Sequence, residues 1–421
     1  MSEYYDALET REPGEREATL LAALPAQVAR AQATAAFAQI LAGVDAGAVR
    51  SRDALAALPV TRKSELLARQ KAAREAGGDP FGGFAAVGWA TLGSVRTARR
   101  VFQSPGPIYE PEGEARDYWR FGRALFAAGV RAGDLVHNSF SYHLTPAGSM
   151  VETGAHAIGC TVFPGGVGNT ELQLQAMAEL RPRAYAGTPS FLRIVFEKAD
   201  ELGVRLPSLT RASVGGEAFP PALRDALRAR GVEGYQSYGT ADVGLIAYET
   251  TAREGLVLDE GVLVEIVRPG TGEPVPDGEV GEVVVTTLNP DYPLIRFGTG
   301  DLSAVLPGGC PTGRTNRRIR GWLGRADQTA KVRGMFVHPS QVAEIVRRHP
   351  EVARARLVIE GEMADDRMTL HAEVAAAPAA LVQALAATIR DVTKLRGDVR
   401  IVAPGSLAND GKVIDDARRY A

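Results

Sequence analysis

The chain has 421 residues, more than one hydrophobic core usually holds, so two or three domains are expected. Its 48 basic and 50 acidic residues nearly balance, which argues against a nucleic acid or an anionic membrane surface as partner. The two cysteines lie far apart, the N-terminus lacks signal-peptide features, and no run of 18 apolar residues could span a bilayer. These features predict a cytoplasmic protein whose partners are small molecules.

The first third of the chain is predicted to be helical and to serve packing. Residues 14–43 combine large aliphatic side chains with many alanines, a helical composition that Pro25 is expected to interrupt. A glycine-rich link over 77–83 is expected to cross the surface.

From about residue 118 the pattern alternates between helix and strand. Helices are predicted over 118–130 and 220–230, and Thr188 is expected to cap a helix that begins at Pro189. Short strands are predicted over 134–140, 160–163 and 211–214. This alternation predicts an α/β fold with a mainly parallel sheet, where ligands bind beyond the carboxyl ends of the strands.

The pattern becomes richer in β-strands after residue 242. Apolar residues alternate over 262–266, and 282–287 is a β-branched run, so an antiparallel subdomain is expected. Strands near Leu357 and Thr369, with a helix over 379–395, predict a small α+β domain at the C-terminus.

Residues 237–244 have the sequence Ser-Tyr-Gly-Thr-Ala-Asp-Val-Gly and are predicted to form a glycine-broken turn. Within five residues this turn offers an aromatic ring, a hydroxyl and a carboxylate, which could stack a base and hold a divalent cation. The alternative is a solvated loop with an incidental tyrosine and aspartate.

Further motifs stand in a fixed order around this stretch. They are Gly215-Gly216-Glu217, Tyr238-Gly239-Thr240-Ala241-Asp242, Arg296-Phe297-Gly298-Thr299-Gly300-Asp301, Gly324-Arg325-Ala326-Asp327 and Asp410-Gly411-Lys412. In this order and spacing the motifs resemble the adenylate-forming (acyl-CoA synthetase/ligase) superfamily, most closely its phenylacetate–coenzyme A ligase branch. The resemblance implies a large N-terminal α/β domain with a β-rich subdomain, 1–326, and a small mobile C-terminal α+β domain, 327–421.

The resemblance also implies a role for each motif. Tyr238 would stack on adenine, Asp301 would accept both ribose hydroxyls, and Asp242 would hold Mg²⁺. Lys412 would be catalytic, because its ammonium would meet the charge that develops on the α-phosphate. Asp327 would be the hinge about which the small domain turns. The nucleotide-binding residues implied are Gly216, Glu217, Tyr238, Gly239, Asp301 and Arg325.

The activity implied is that of an acid–coenzyme A ligase that uses ATP and Mg²⁺ and forms an acyl-adenylate. The acid would be an aryl or arylacetic carboxylate, since small residues leave room for a flat ring in a pocket formed by Tyr142, His143, Gly215 and Ala218. Transfer of the acyl group to an amine or a carrier-protein thiol is an alternative acceptor reaction. A homodimer is left open.

One departure from the family pattern keeps a further alternative open. Residues 104–111, where a phosphate-gripping loop should follow a strand, contain three prolines, no lysine and Glu110, which would repel phosphate. A non-adenylating acyl- or nucleotide-binding relative is therefore the second hypothesis. Cys310 stands alone where many relatives carry a cysteine pair, so no structural zinc is expected.

Overall fold

The structure, a computed structural model of the chain, divides into two units. It describes residues 3–268, 271–326, 330–333, 335–337, 339–361, 366–375, 378, 380–408 and 412–418. The first unit spans residues 1–324 and the second residues 325–421, whereas the sequence places the boundary at 326. In the described part of the chain no helix is both long and apolar enough to cross a membrane.

The first unit begins with helices. They are α1 (Pro13–Gln32), α2 (Ala35–Ile40), α3 (Arg52–Ala56) and, after the short strand β1 (Thr61–Arg62), α4 (Lys63–Glu75). The predicted interruption at Pro25 is wrong, because α1 continues through this residue. Leu24 and Val28 are fully buried in the main core, and this packing offsets the hydrogen bond that a proline removes.

A parallel sheet with intervening helices follows, as the sequence predicts. After the antiparallel hairpin of β2 (Arg100–Ser104) and β3 (Ile108–Glu112), the elements are α5 (Phe121–Ala127), β4 (Leu135–Asn138), α6 (Ala147–Ile158), β5 (Thr161–Pro164), α7 (Thr170–Leu180), β6 (Ala184–Gly187), α8 (Pro189–Glu201), β7 (Arg211–Val214), α9 (Pro221–Ala229) and β8 (Glu233–Thr240). The strands lie in the order β5-β4-β6-β7-β8, all parallel. The Thr188 hydroxyl accepts a hydrogen bond from the Phe191 N–H, so the predicted cap of α8 is confirmed.

Helix α5 is shorter than the helix predicted over 118–130. It starts only at Phe121 because Arg120 adopts a left-handed φ of +65°. The Arg120 guanidinium donates to Asp259 at 2.7 Å and to the Val243 carbonyl at 2.7 Å, which holds the chain in this conformation.

Strand β8 joins the parallel half of the sheet to an antiparallel half. Its residues 233–236 pair with β7, and its residues 237–240 pair with β9 (Gly244–Glu249), with a register shift between Tyr238 and Gly239. Tyr238 and Gly239 are therefore strand residues, which corrects the predicted turn; the reversal occupies only residues 241–243. A Cβ atom at Gly239 would lie 2.5 Å from the Gly244 carbonyl oxygen, so this close pairing requires glycine.

The β-rich subdomain supplies a second sheet. Strand β10 (Leu256–Leu258) still belongs to the first sheet, where it pairs with β9. The strands of the second sheet come after it and are β11 (Val262–Val267), β12 (Gly281–Thr287) and β13 (Phe297–Ser303). These three strands are antiparallel, and β1 adds to β13 in parallel. The antiparallel subdomain is thus confirmed, and its register brings Lys63, directly after β1, to the strand that carries Asp301. The short strands β14 (Val305–Leu306) and β15 (Arg318–Ile319) extend the first sheet beyond β10.

The second unit has its own sheet and its own core. After β16 (Gly324–Arg325), its elements are β17 (Ala330–Val332), β18 (Met335–Val337), α10 (Pro339–Arg348), β19 (Arg354–Glu360), β20 (Arg367–Glu373), α11 (Leu381–Thr393), β21 (Asp398–Val402) and β22 (Ile414–Asp416). Four strands pair in the order β21-β20-β19-β22, and Leu357, Leu370 and Leu385 are among its fully buried residues. The α+β character predicted for the C-terminus is confirmed.

Candidate active site

Asp301 and Tyr238 meet although 63 residues separate them in the chain. Asp301 lies on β13 and is 8% exposed. The Tyr238 hydroxyl donates to Asp301 Oδ2 at 3.0 Å and lies 3.2 Å from Thr299 Oγ1, and the Trp322 indole N–H donates to Asp301 Oδ1 at 3.1 Å. These two bonds therefore reach different oxygens of the Asp301 carboxylate. The sequence does not indicate Trp322, because nothing in its local pattern distinguishes it from a packing residue.

Asp242 is buried just beyond β8, with its side chain paired to a lysine. Lys63 Nζ lies 2.9 Å from Asp242 Oδ2, while Asp242 Oδ1 has no hydrogen-bond partner among the described residues. Lys63 is the first residue of α4, and its side chain is 37% exposed. No sequence signal links this lysine to Asp242, since the two are 179 residues apart.

Residues 104–111 form the tip and second strand of the β2–β3 hairpin. Ser104 pairs with Ile108 across the turn, and Pro111 lies within β3 opposite Val101. Helix α4 supports this hairpin, because the Gln70 side-chain amide donates to the Tyr109 carbonyl at 2.9 Å and accepts from the Tyr109 N–H at 2.8 Å. The segment is therefore a hairpin held by side chains, without the open run of backbone N–H groups that a phosphate nest requires.

Glu110 is buried on strand β3 rather than exposed on a loop. It is fully buried, and the Ser104 hydroxyl donates to its Oε1. Burial, together with the nearby Asp242 carboxylate, raises the pKa of Glu110 to about 8. Two acidic side chains therefore share a small buried region with Lys63.

An apolar cavity of about 170 Å³ adjoins this region. Its walls are largely hydrophobic and include Phe121, Phe140, Pro146, Met150 and Val151. Its more polar rim is formed by Ser104, Gly215, Gly216, Ser237, Gly239, Thr240 and Ala241. Gly216 has a φ of +79°, a conformation that a side chain would strain, at the carboxyl end of β7. The strand ends thus surround the cavity, as the parallel sheet predicts.

Three residues predicted for the acid pocket do not line this cavity. The Tyr142 hydroxyl accepts a hydrogen bond from the Asn138 amide at 2.8 Å, and burial raises the pKa of Tyr142. His143 is exposed and Ala218 is half-buried. Gly215 is the predicted acid-pocket residue that does line the cavity, and Gly216 and Gly239, assigned to the nucleotide, line it as well.

The Glu217 side chain contacts the start of helix α8. Its Oε1 accepts a hydrogen bond from the Ser190 N–H at 2.7 Å, in the first turn of α8. A carboxylate at a helix N-terminus is a stabilising arrangement. This contact places Glu217 between β7 and α8, beside the glycines of the cavity rim.

The remaining predicted residues belong to the second unit. Arg325 lies in β16 and is half-buried, and the side chain of Lys412 is 52% exposed with its Nζ 3.1 Å from Asp415 Oδ1. The predicted hinge, Asp327, lies outside the described residues. Cys160 and Cys310 are both free thiols, and the described residues contain no group of three or more histidine, cysteine or acidic side chains that could hold a metal ion.

Comparison with known proteins places this chain in a family. Residues 123–289 match the model of the AMP-binding enzyme family. The phenylacetate–coenzyme A ligase of Thermus thermophilus is 32% identical over 343 residues, which cover 79% of this chain and 75% of that enzyme. The chain belongs to the phenylacetate–coenzyme A ligase family. The ligase of Aromatoleum evansii is 34% identical over 261 residues, but this match covers only 60% of the chain and 59% of that enzyme.

A solved member of the wider superfamily matches the whole chain. The 2-hydroxyisobutyryl-CoA ligase in complex with 2-hydroxyisobutyryl-AMP and coenzyme A, in its thioesterification state, has a TM-score of 0.79 at 25% identity and covers 100% of this chain and 93% of the ligase chain. The amide bond synthetase McbA from Marinactinospora thermotolerans, at 19% identity and a TM-score of 0.53, shows a shared fold alone. The phenylacetate–coenzyme A ligase family membership supports an AMP-forming acid–coenzyme A ligase activity.

Proposed function

We propose that this family member activates a small carboxylic acid as its acyl-adenylate and then transfers the acyl group to coenzyme A. The observation that carries the proposal is that residues 238–242 contact three parts of the candidate site. Tyr238 contacts the buried Asp301, residues 239–241 line the apolar cavity, and Asp242 presents a carboxylate on the other side. The ring of a nucleotide, an acid and a cation could therefore meet around five consecutive residues.

In the first half-reaction a carboxylate oxygen of the acid attacks the α-phosphorus of ATP, the bond to the β-phosphate breaks, and pyrophosphate leaves. Asp301 would hold the ribose hydroxyls, with Arg325 as a second contact, and Lys412 would stabilise charge on the α-phosphate. The unpartnered Asp242 Oδ1 fits Mg²⁺, which prefers oxygen ligands and which when bound neutralises phosphate charge.

In the second half-reaction the sulfur of coenzyme A attacks the acyl carbonyl carbon, AMP leaves, and the thiol proton passes to solvent. We assign the change between the two steps to rotation of the small domain about Asp327. Glu217 supports the cavity rim through its contact with Ser190, so its contribution would be to position Gly215 and Gly216.

The cavity volume limits the acid. A cavity of about 150 Å³ can hold one benzene ring, and the cavity here is about 170 Å³. We therefore propose an acid with one aromatic ring or a compact branched chain, with its apolar part against Phe140 and Met150. Tyr142, His143 and Ala218 do not line the cavity, so they would affect the acid only through the residues that do.

The deciding experiment is acid-dependent exchange of labelled pyrophosphate into ATP. The panel should include benzoate, phenylacetate, 2-hydroxyisobutyrate and the two-ring acid 2-naphthylacetate. We expect exchange with at least one of the first three and little with the two-ring acid, and coenzyme A should then be consumed with the same acid. If none of the acids in the panel supports exchange, adenylation is refuted.

A second function is favoured by the hairpin at 104–111. Pro105, Pro107 and Pro111 cannot donate backbone hydrogen bonds, Ser104 pairs with Ile108 across the turn, and the backbone of Tyr109 is bonded to Gln70 of α4. A relative that binds an acyl-adenylate or AMP without making it would need no phosphate grip. Tight AMP binding together with absent pyrophosphate exchange would establish this second function.

A further inference from the structure

Three buried oxygen atoms without partners lie on the hairpin, just after β8 and after β12. They are Glu110 Oε2, Asp242 Oδ1 and Tyr292 Oη, and none has a hydrogen-bond partner within the described ranges. The exposed fractions of these residues are 0%, 3% and 1%. Buried polar atoms are nearly always paired, so this group indicates a missing ligand.

Contacts around one cavity bring Glu110 and Asp242 into the same region. Ser104, whose hydroxyl donates to Glu110, lines the same cavity as Thr240 and Ala241, which directly precede Asp242. Lys63 Nζ lies 2.9 Å from Asp242 Oδ2, so the unpartnered Oδ1 is the oxygen of Asp242 that remains for a ligand.

A divalent cation is the ligand that suits these atoms. Mg²⁺ binds hard oxygen ligands and is commonly held by one or two carboxylates, with waters and substrate phosphates completing its shell. A site with only two acidic ligands is consistent with the absence of any larger acidic or histidine cluster among the residues described. A phenol at Tyr292 could bond to a water of that shell.

We propose that Glu110 is a second protein ligand, with Asp242, of a divalent cation site. This inference rests on the proposed function only in taking Asp242 as a metal-holding residue. The hairpin that replaces a phosphate-gripping loop then has a task of its own. It presents a carboxylate, fixed by Ser104 and by the hold of Gln70 on Tyr109, so that a metal ion rather than backbone N–H groups meets the phosphate charge.

Binding of Mn²⁺ to the full chain, followed by the electron paramagnetic resonance signal of free Mn²⁺, tests this site without nucleotide or acid. We expect wild type to bind about one Mn²⁺ that Mg²⁺ displaces. Glu110→Gln and Asp242→Asn should each weaken binding at least tenfold. Glu114→Gln, which changes an exposed carboxylate on the same segment, should bind as wild type does.

Thermal unfolding provides the check on folding. Mn²⁺ should raise the melting temperature of wild type and of Glu114→Gln, and the shift should be absent from a folded Glu110→Gln protein. Wild-type Mn²⁺ affinity in Glu110→Gln, or no Mn²⁺ binding by wild type at millimolar concentration, would overturn the proposal. Mn²⁺ binding that depends on Glu110 in a protein without pyrophosphate exchange would retain this site while refuting the adenylating function.

Discussion

Replacing Asp301 with alanine should cost nucleotide affinity while the fold survives. The carboxylate is 8% exposed, so hydrogen bonds from ribose hydroxyls would form in a largely desolvated site. Two bonds to a charged acceptor contribute about 2 to 4 kcal/mol together after exchange with water, or about 30- to 700-fold in affinity. Tyr238 keeps Thr299 as a neighbour at 3.2 Å, whereas Trp322 loses its acceptor, so the free energy of unfolding should fall by only about 1 to 3 kcal/mol.

Calorimetry with AMP and with 2′,3′-dideoxy-AMP isolates the ribose contribution. Wild type should bind AMP more tightly by the factor just given, and Asp301→Ala should bind both nucleotides equally weakly. Asp301→Asn keeps the shape of the side chain but removes its charge, so its AMP affinity should lie between those of wild type and Asp301→Ala. If Asp301→Ala still preferred AMP over the dideoxy compound, the ribose would be recognised elsewhere. If its melting temperature collapsed while AMP affinity held, Asp301 would be a structural residue.

Three further predictions concern the phosphates and the cations. AMP should bind within about a hundredfold of ATP, because the hairpin at 104–111 offers no phosphate nest; a larger preference for ATP in calorimetry would require a grip located elsewhere. Lys412→Ala should slow acyl-adenylate formation by about 10² to 10³ yet leave thioester formation from synthetic acyl-adenylate near wild type, and equal loss in both assays would exclude a role confined to adenylation. Lys63→Met should lower the free energy of unfolding by about 1 to 3 kcal/mol in urea titrations, because buried Asp242 loses its ammonium, and should tighten Mn²⁺ binding severalfold; unchanged values for both would mean that the ion pair at 2.9 Å has no energetic role.

Much of the fold could be predicted because its signals are local. Thr188 and Pro189 mark the start of α8 by capping chemistry, and the consecutive β-branched residues of β12 favour a strand by their composition. Pro25 and Arg120 could not be predicted, since long-range contacts decide both. Burial of α1 in the core carries the helix through proline, and Asp259 holds Arg120 in its left-handed conformation.

The candidate site likewise contains residues that the sequence indicates and residues that it does not. Tyr238, Asp242 and Asp301 could be named from motif order, but their partners Lys63 and Trp322 come from distant parts of the chain with no pattern of their own. The proline-rich segment around Glu110 predicts a loop, whereas pairing with β2 and support from Gln70 make it a buried strand. The strand assignment changes what this carboxylate can do.

The hydrogen bond from Trp322 to Asp301 gives the protein an optical probe of the proposed ribose subsite. The chain has three tryptophans, and Trp119 is 1% exposed with its N–H donated to Glu112, while Trp89 packs edge-on against Phe81. Indole emission depends on the hydrogen bond of its N–H and on nearby charge, so a nucleotide that engages Asp301 should change the emission of Trp322 in particular. Trp322→Phe is the control, because it removes the emission of this indole and leaves that of the other two tryptophans. Fluorescence titration could then follow nucleotide occupancy directly, before any acid or thiol substrate has been found.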